Sequence, residues 1–197
     1  MSSMKSKRDT KAAILDAARG LFETRGYFGT GLESVAAQAG LSRQAIYLHY
    51  ASKAELLQAL HERVNERDVA PAFVPVWAAD DARTALDLWV DACATAIPKI
   101  LAIANALDAA QRYDADANAT WQAPKEGQYA QCLRLATWLR RDGELVDGMS
   151  ANEAADTIWS LTALWAYEGL VSDRNWSPAR WRRWVRRTLH QLLLHAP

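Results

Sequence analysis

At 197 residues, half of them apolar, the chain is long enough for one large domain or two smaller ones and can bury a sizeable core. Only nine glycines and six prolines interrupt a sequence dominated by alanine and leucine, which favours an all-α fold. Lys plus Arg and Asp plus Glu both total 23, so any nucleic-acid character must come from how the charge is distributed.

That distribution is uneven. Residues 1–67 hold 10 Lys/Arg against 7 Asp/Glu, residues 68–175 hold 8 against 16, and residues 176–197 hold five arginines and no acid. A basic N-terminal part on an acidic middle fits a nucleic-acid face joined to a body that does not touch DNA. The two cysteines, Cys93 and Cys132, match no metal or redox spacing and read as buried free thiols, which suits a reducing cytoplasm. No charged, apolar, small-residue leader is present, so export is not expected. The most apolar run, near Ala92 to Ala110, contains Lys99, Asn105, Asp108 and Pro98 and reads as a soluble helix, not a membrane span.

In chain order, Met1 to Arg8 is polar and basic and is expected to be a mobile arm. From Asp9 to about Arg25, the residues Ile14, Leu15, Ala18, Leu21 and Phe22 recur at threes and fours, predicting an amphipathic helix that stops at Gly26. Tyr27 and Phe28 are then expected to pack beneath the next two helices. Thr30 to Lys53 predicts those two short helices around a tight turn: Leu32, Val35 and Ala36 line the first, Gly40 turns the chain in a left-handed conformation, and Ser42 opens the second. Ile46 points back into the same core. This is the pattern of a helix-turn-helix, whose second helix lies in the DNA major groove; the plainer alternative is a hairpin that only packs. Three helix starts pair a Ser or Thr with a Glu three residues on: Thr30 with Glu33, Ser52 with Glu55, and Ser150 with Glu153. A fourth helix runs from Glu55 to about Arg67, along Leu56, Leu57, Leu60 and Val64.

Pro71 and Pro75 interrupt the pattern, so the domains are expected at 8–67 and 68–197. Helices are predicted at roughly 80–97, 99–113, 120–141, 151–172 and 178–195, about nine in all. Ser177-Pro178 is a strong start signal for the last of these. That helix places Trp181, Trp184, Val185, Leu189, Leu192 and Leu193 on one side and five arginines largely on the other. With Trp159 and Thr162 on the helix before it, this side could finish the core or pair with its copy as a four-helix bundle.

The sequence from about Thr10 to Leu57, ILDAARGLFETRGYFGTGLESVAAQAGLSRQAIYLHYASKAELL, strongly resembles the TetR (tetracycline-repressor-type) family of bacterial transcription regulators. The shared pattern is an ILxAAxxLF helix, G-[YF], a Thr, then IAxxAGVSxxTLYxHFxSKxxL. The last two helices also look like those of many members. The resemblance implies an all-α homodimer with an N-terminal three-helix helix-turn-helix domain on double-stranded DNA, at an operator expected to be palindromic, and a C-terminal ligand-binding and dimerisation bundle. On the corresponding positions it implies DNA contacts from Thr30, Ser42, Arg43, Gln44, Ala45, Tyr47, His49 and Lys53. Gln44 suits adenine, Arg43 suits guanine or a phosphate, and Lys53 and Thr30, at helix starts, suit phosphate. Gly31, Gln44 and Ala51 depart from the family pattern, which points to an operator of its own.

Nine tryptophans stand out. Trp89, Trp121, Trp138 and Trp165 fall where this fold holds an effector cavity, with Asp108, Arg112 and Glu168 as polar anchors. Indoles suit flat hydrophobic or cationic small molecules, although core packing is the better reading of any single tryptophan. The dimer interface is expected at Trp159, Thr162, Trp181, Trp184, Val185, Leu189 and Leu192. His61, His190 and His195 have no metal-ligand spacing, and there is no nucleophile–base pair, phosphate loop or metal cluster, so no enzyme, metal or cofactor is expected. The leading expectation is a repressor released by a small ligand; a regulator without one, controlled by a partner or activating, is the alternative.

Overall fold

The structure is a computed structural model describing residues 2–112 and 115–195, with the backbone alone for residues 2–8 and 115–124. Among the described residues it is all-helical, with ten α-helices, two short π-helical turns and one isolated β-bridge. They fall into two compact units, Met1–Glu66 with Ala102–Gln122, and Arg67–Leu101 with Ala123–Pro197.

In the first unit, α1 (Ser2–Arg25) buries Ile14, Leu15, Ala18, Leu21 and Phe22, the expected stripe. Its backbone is already helical from Ser2, where a mobile arm was expected, because no glycine or proline interrupts the residues before Gly20. Gly26 ends it at φ +64°. Tyr27 turns inward and stacks on Phe22 at 6.5 Å, but Phe28 stays 66% exposed, so only one of that pair packs beneath the motif. Gly29 is a close approach: a Cβ there would lie 2.5 Å from the Arg25 carbonyl oxygen.

Helix α2 (Leu32–Gln38) buries Leu32, Val35 and Ala36. It ends in a Schellman motif: Gly40, at φ +70°, donates its N–H to Ala37 at 3.2 Å, and Leu41 donates to Ala36 at 2.8 Å. Helix α3 (Arg43–Tyr47) is only five residues long and buries Ile46 against this turn. The Ser42 hydroxyl accepts from the Ala45 N–H at 3.1 Å. Helix α4 (Lys53–Val64) is capped by Ser52, which accepts from Glu55 N–H, while Glu55 reaches back to Ala51 N–H at 2.7 Å. It buries Leu56, Leu57, Leu60 and Val64, and Arg63 fastens it to α1 through the Ala12 carbonyl at 2.9 Å and Asp16 at 2.6 Å.

In the second unit, a π-turn (Asn65–Val69, which begins at the unit boundary) leads to α5 (Ala70–Trp77), so the proline pair sits within a helix. Pro71 occupies its first turn, where the missing N–H would be unpaired anyway. Helix α6 (Ala82–Gln111), whose residues up to Leu101 belong to this unit and the rest to the first, continues through Pro98, where two helices were expected. An interior proline costs about 3 kcal/mol. Burial of Cys93, Ala96, Ile97 and Ile100 around it offsets that cost. By length and composition α6 could cross a membrane, but 56% of its most apolar window is buried within the protein, as in a core helix. Helix α7 (Ala115–Arg141) contributes Cys132, Leu135, Ala136 and Leu139 to the core.

The expected helix over 151–172 is broken. Helix α8 (Ala151–Thr162) stops at Ala163, which is extended at ψ 151°, and α9 (Leu164–Glu168) and a π-turn (Gly169–Asp173) come next. The Thr162 hydroxyl bonds back to the Ile158 carbonyl at 2.7 Å, the kind of contact that bends a helix, and also accepts from the Trp89 indole at 3.3 Å. After the break Tyr167 turns inward onto Trp181, ring centroids 5.0 Å apart. Helix α10 (Pro178–Leu193) starts at the expected Ser177 cap. Beyond it, Val146 N–H bonds Leu193 and His195 N–H bonds Glu144, at 2.9 and 3.1 Å, while Arg83 reaches both Glu144 and the His195 carbonyl.

Candidate nucleic-acid interface

The exposed surface of the first unit's turn is built on α2 and α3. Arg43 and Tyr47, one helical turn apart, lie on the same side of α3 and converge on Glu33 of α2. A guanidinium nitrogen of Arg43 lies 3.1 Å from a Glu33 carboxylate oxygen, and the Tyr47 hydroxyl lies 3.4 Å from the same oxygen. Gln44 beside them is exposed, Ala45 is half-buried, and the Ser42 hydroxyl keeps its own proton to donate after capping. His49 is half-buried at the end of the turn. These residues can offer a planar guanidinium, an amide and two hydroxyls to one groove.

Two expected contacts have other partners. Thr30 is buried, and its hydroxyl donates to the Gly26 carbonyl at 2.9 Å, within the tight turn that joins α1 to α2. The cap of α2 is Gly31 instead, whose N–H donates to the Ser34 hydroxyl at 3.1 Å, so the Thr30–Glu33 capping pair does not form. Lys53 does open α4, but its ammonium donates to the Tyr27 carbonyl at 2.9 Å and sits 3.7 Å from the Tyr27 ring centroid. Partial burial there pulls its pKa below the ordinary lysine range. The ammonium thus clamps the α1–α2 turn to α4 while two of its donors remain for another acceptor.

Leu48 was not singled out from sequence. It is 84% exposed immediately after α3, and nothing in the sequence separates it from a core leucine. Tyr50, by contrast, is buried, and desolvation pushes its pKa up.

The expected effector residues fall in both units. Trp89 is packed edge-on against Phe73 at 4.9 Å and Trp77 at 6.3 Å, so it is core. Trp165 is 62% exposed, just past the Ala163 break, and too open to line an enclosed cavity. Trp138 and Glu168 are half-buried, and Arg141 lies 5.7 Å from the Trp138 ring centroid. Asp108 and Arg112, in the first unit, pair with each other at 3.1 Å. The side chain of Trp121 lies outside the described residues.

The expected interface stripe also divides. Thr162, Trp181, Val185 and Leu189 are buried in the unit's own core, because the apolar side of α10 packs inward first. Trp159 and Trp184 are half-buried and Leu192 is half-exposed, which leaves these three accessible. The arginines of α10 also split. Arg186 pairs with Asp91 at 2.6 Å and Asp87 at 3.2 Å, and Arg182 lies 3.7 Å from Asp91. Arg180, Arg183 and Arg187 line an open groove of about 710 Å³ together with Arg186, Trp176 and Trp184. Among the described residues no group of three or more His, Cys, Asp or Glu could hold a metal ion. Burial pushes the Cys132 thiol up to about 12 and that of Cys93 higher still, so neither is a nucleophile at neutral pH.

A helix-turn-helix with its second helix exposed, carried by an all-helical chain with a larger second unit, defines the class. Residues 14–60 match the family described as bacterial regulatory proteins, tetR family. The HTH-type transcriptional regulator TtgR of Pseudomonas putida is 44% identical over 59 residues, which is 30% of this chain and 28% of that protein's length. Solved structures cover nearly the whole chain. A transcriptional regulator from Saccharomonospora viridis in complex with choline superposes with a TM-score of 0.79 at 18% identity, over 96% of this chain and 100% of that one. NalD of Pseudomonas aeruginosa, the secondary repressor of the MexAB-OprM multidrug efflux pump, superposes with a TM-score of 0.65 at 22% identity over 96% of this chain and 98% of its own. Residues 14–60 are thus those of a tetR-family helix-turn-helix, and the solved structures, at 18–22% identity, share the fold of nearly the whole chain.

Proposed function

We propose that this protein is a homodimeric, DNA-binding transcriptional regulator, most simply a repressor whose operator affinity falls when a small hydrophobic or aromatic molecule binds its second unit. The observation that carries the DNA-binding part is the arrangement of α2, the Gly40 turn and α3, which presents Arg43, Gln44 and Tyr47 on one exposed surface. The family match over residues 14–60 supports it independently. Two copies of α3 would enter successive major grooves about 34–36 Å apart, hence a palindromic operator. The exposed sides of α8 and α10, with Trp159, Trp184 and Leu192, are the surface proposed for dimerisation. A ligand that binds better to a dimer of different α3 spacing releases DNA through that difference in affinity.

The ligand part rests on Trp138 and Glu168, the half-buried members of the expected set, and on the ligand-bound relative at 18% identity. The dense packing around Trp89 favours a second reading, a regulator that takes no small ligand and answers to a partner protein.

Selection of random duplexes by the full-length protein tests the first part, with size-exclusion and light scattering for the dimer. An enriched palindrome is expected, and Arg43→Ala and Gln44→Ala should each cost about 1–3 kcal/mol on it. Equal losses on operator and random DNA would remove either residue from base reading. Quenching of tryptophan fluorescence by cationic and neutral aromatic compounds, compared with Trp138→Phe, tests the second. No response to either class would favour the partner-controlled reading.

A further inference from the structure

The pairing of Glu33 with the recognition helix has no adequate structural explanation. The side chains of Glu33 and Arg43 are 51% and 72% exposed. An ion pair that open contributes at most about 1 kcal/mol to stability. A carboxylate on a surface meant for a polyanion also opposes every phosphate contact made near it. Glu33 also sits in the first turn of α2, where a carboxylate suits the helix dipole, but that role needs no contact with Arg43, so the pairing itself acts through the geometry it imposes.

That geometry is specific. One carboxylate oxygen faces both a terminal guanidinium nitrogen of Arg43 and the Tyr47 hydroxyl, the two residues a helical turn apart on α3. Arginine carries five N–H donors in a rigid fork. Holding one terminal nitrogen leaves the other edge of the fork free, and two parallel donors are what guanine O6 and N7 accept in the major groove. An unheld arginine would have to be ordered on binding and could equally settle on a phosphate, which carries no sequence information.

We propose that Glu33 is a specificity-determining positioning residue: by buttressing Arg43 it directs the guanidinium to one guanine and disfavours its use on the phosphate backbone. This rests on the proposed binding of α3 to DNA. Glu33 acts through Arg43 and touches no base itself.

The experiment compares full-length wild type, Glu33→Gln, Arg43→Lys and the double variant, first by duplex selection and then by competition binding on the selected operator and its single-base-pair substitutions. Thermal melts confirm that the variants fold. Arg43→Lys identifies the base pair that Arg43 reads. In Glu33→Gln, discrimination at that pair should fall about three- to tenfold, the ordering of one long side chain, while the other positions keep theirs. Affinity for random duplex should rise, and Glu33→Gln should add nothing in the Arg43→Lys background. Unchanged discrimination in Glu33→Gln, or a loss spread evenly over all positions, overturns the proposal while leaving the DNA-binding reading intact. A wild type that selects no sequence overturns both.

Discussion

Replacing Gly40 by alanine tests the turn on which the interface depends. The residue sits at φ +70°, in the left-handed region, and a Cβ placed there meets nothing within 4 Å. Sterics with neighbours are therefore not at issue, and the effect is purely conformational. Forcing alanine left-handed costs about 1–2 kcal/mol. The stiffer unfolded chain returns about 0.4–1 kcal/mol, leaving a net loss of about 1 kcal/mol. Gly127, exposed in the middle of α7 with nothing within 4 Å of its own Cβ, is the control. Alanine there should stabilise by about 0.5–1 kcal/mol, because a helix interior favours it. The local reporter is the Leu41 amide, bonded to Ala36 at 2.8 Å. Its native-state hydrogen exchange should quicken about fivefold in Gly40→Ala and less in Gly40→Asn, since asparagine tolerates the left-handed region. Urea unfolding followed by circular dichroism should show opposite shifts for the two alanine variants. Shifts of the same sign, or a Gly40→Asn protein no better than Gly40→Val, would refute the reasoning.

Contacts elsewhere give further expected outcomes. Lys53→Met should loosen the join between the α1–α2 turn and α4, since it removes both the bond to the Tyr27 carbonyl and the charge over its ring. Faster exchange at Thr30, whose N–H bonds Tyr27, would register it, and unchanged exchange would mean that the clamp is idle. The thiols of Cys93 and Cys132, raised by burial, should resist a thiol reagent at pH 8 in the folded protein and react only through unfolding; native-state labelling at a free-thiol rate would contradict their placement. Asp81 is held below the ordinary carboxylate range by bonds from the Thr84 N–H and hydroxyl, and Glu153 by the Ser150 N–H and hydroxyl. A lowered folded-state pKa means that the stabilisation is complete above the unfolded value and is lost as pH falls through the folded one. Asp81→Asn should accordingly flatten the acid side of the stability profile, which melts from pH 6 to pH 3 would reveal.

The parts of the fold that sequence expressed are those where a local rule has no competitor. Gly40, Ser42, Ser52, Ser150 and Ser177 each answer to the backbone within four residues, and each sits where its chemistry requires. Thr30 obeyed the same spacing rule, yet the turn from Gly26 claimed its hydroxyl first, and Ser34 took over the cap of α2. Pro98 looked like a boundary, because propensity does not register the burial on both sides of it. The break at Ala163 carries no breaker residue; it follows Thr162, whose hydroxyl bonds back to Ile158 and accepts from the distant Trp89 indole. The apolar stripe of α10 was visible, but periodicity cannot say whether it packs within its own chain or against a second one, and Trp181 and Leu189 went inward. At the candidate interface, Arg43, Gln44 and Tyr47 were legible from the motif. Glu33 was read only as half of a capping pair, since its link to Arg43 spans ten positions and two helices.

The hydrogen bonds that join Val146 to Leu193 and His195 to Glu144 have a consequence for synthesis. The segment after α7 can be fastened only once residue 195 has emerged, whereas the first unit draws on no residue beyond Gln122. A ribosome therefore displays the helix-turn-helix well before the second unit can close. Any shortened product ending between residues 145 and 193 would carry the Arg43 surface without that clasp and without all or part of α10, which holds most of the surface proposed for dimerisation.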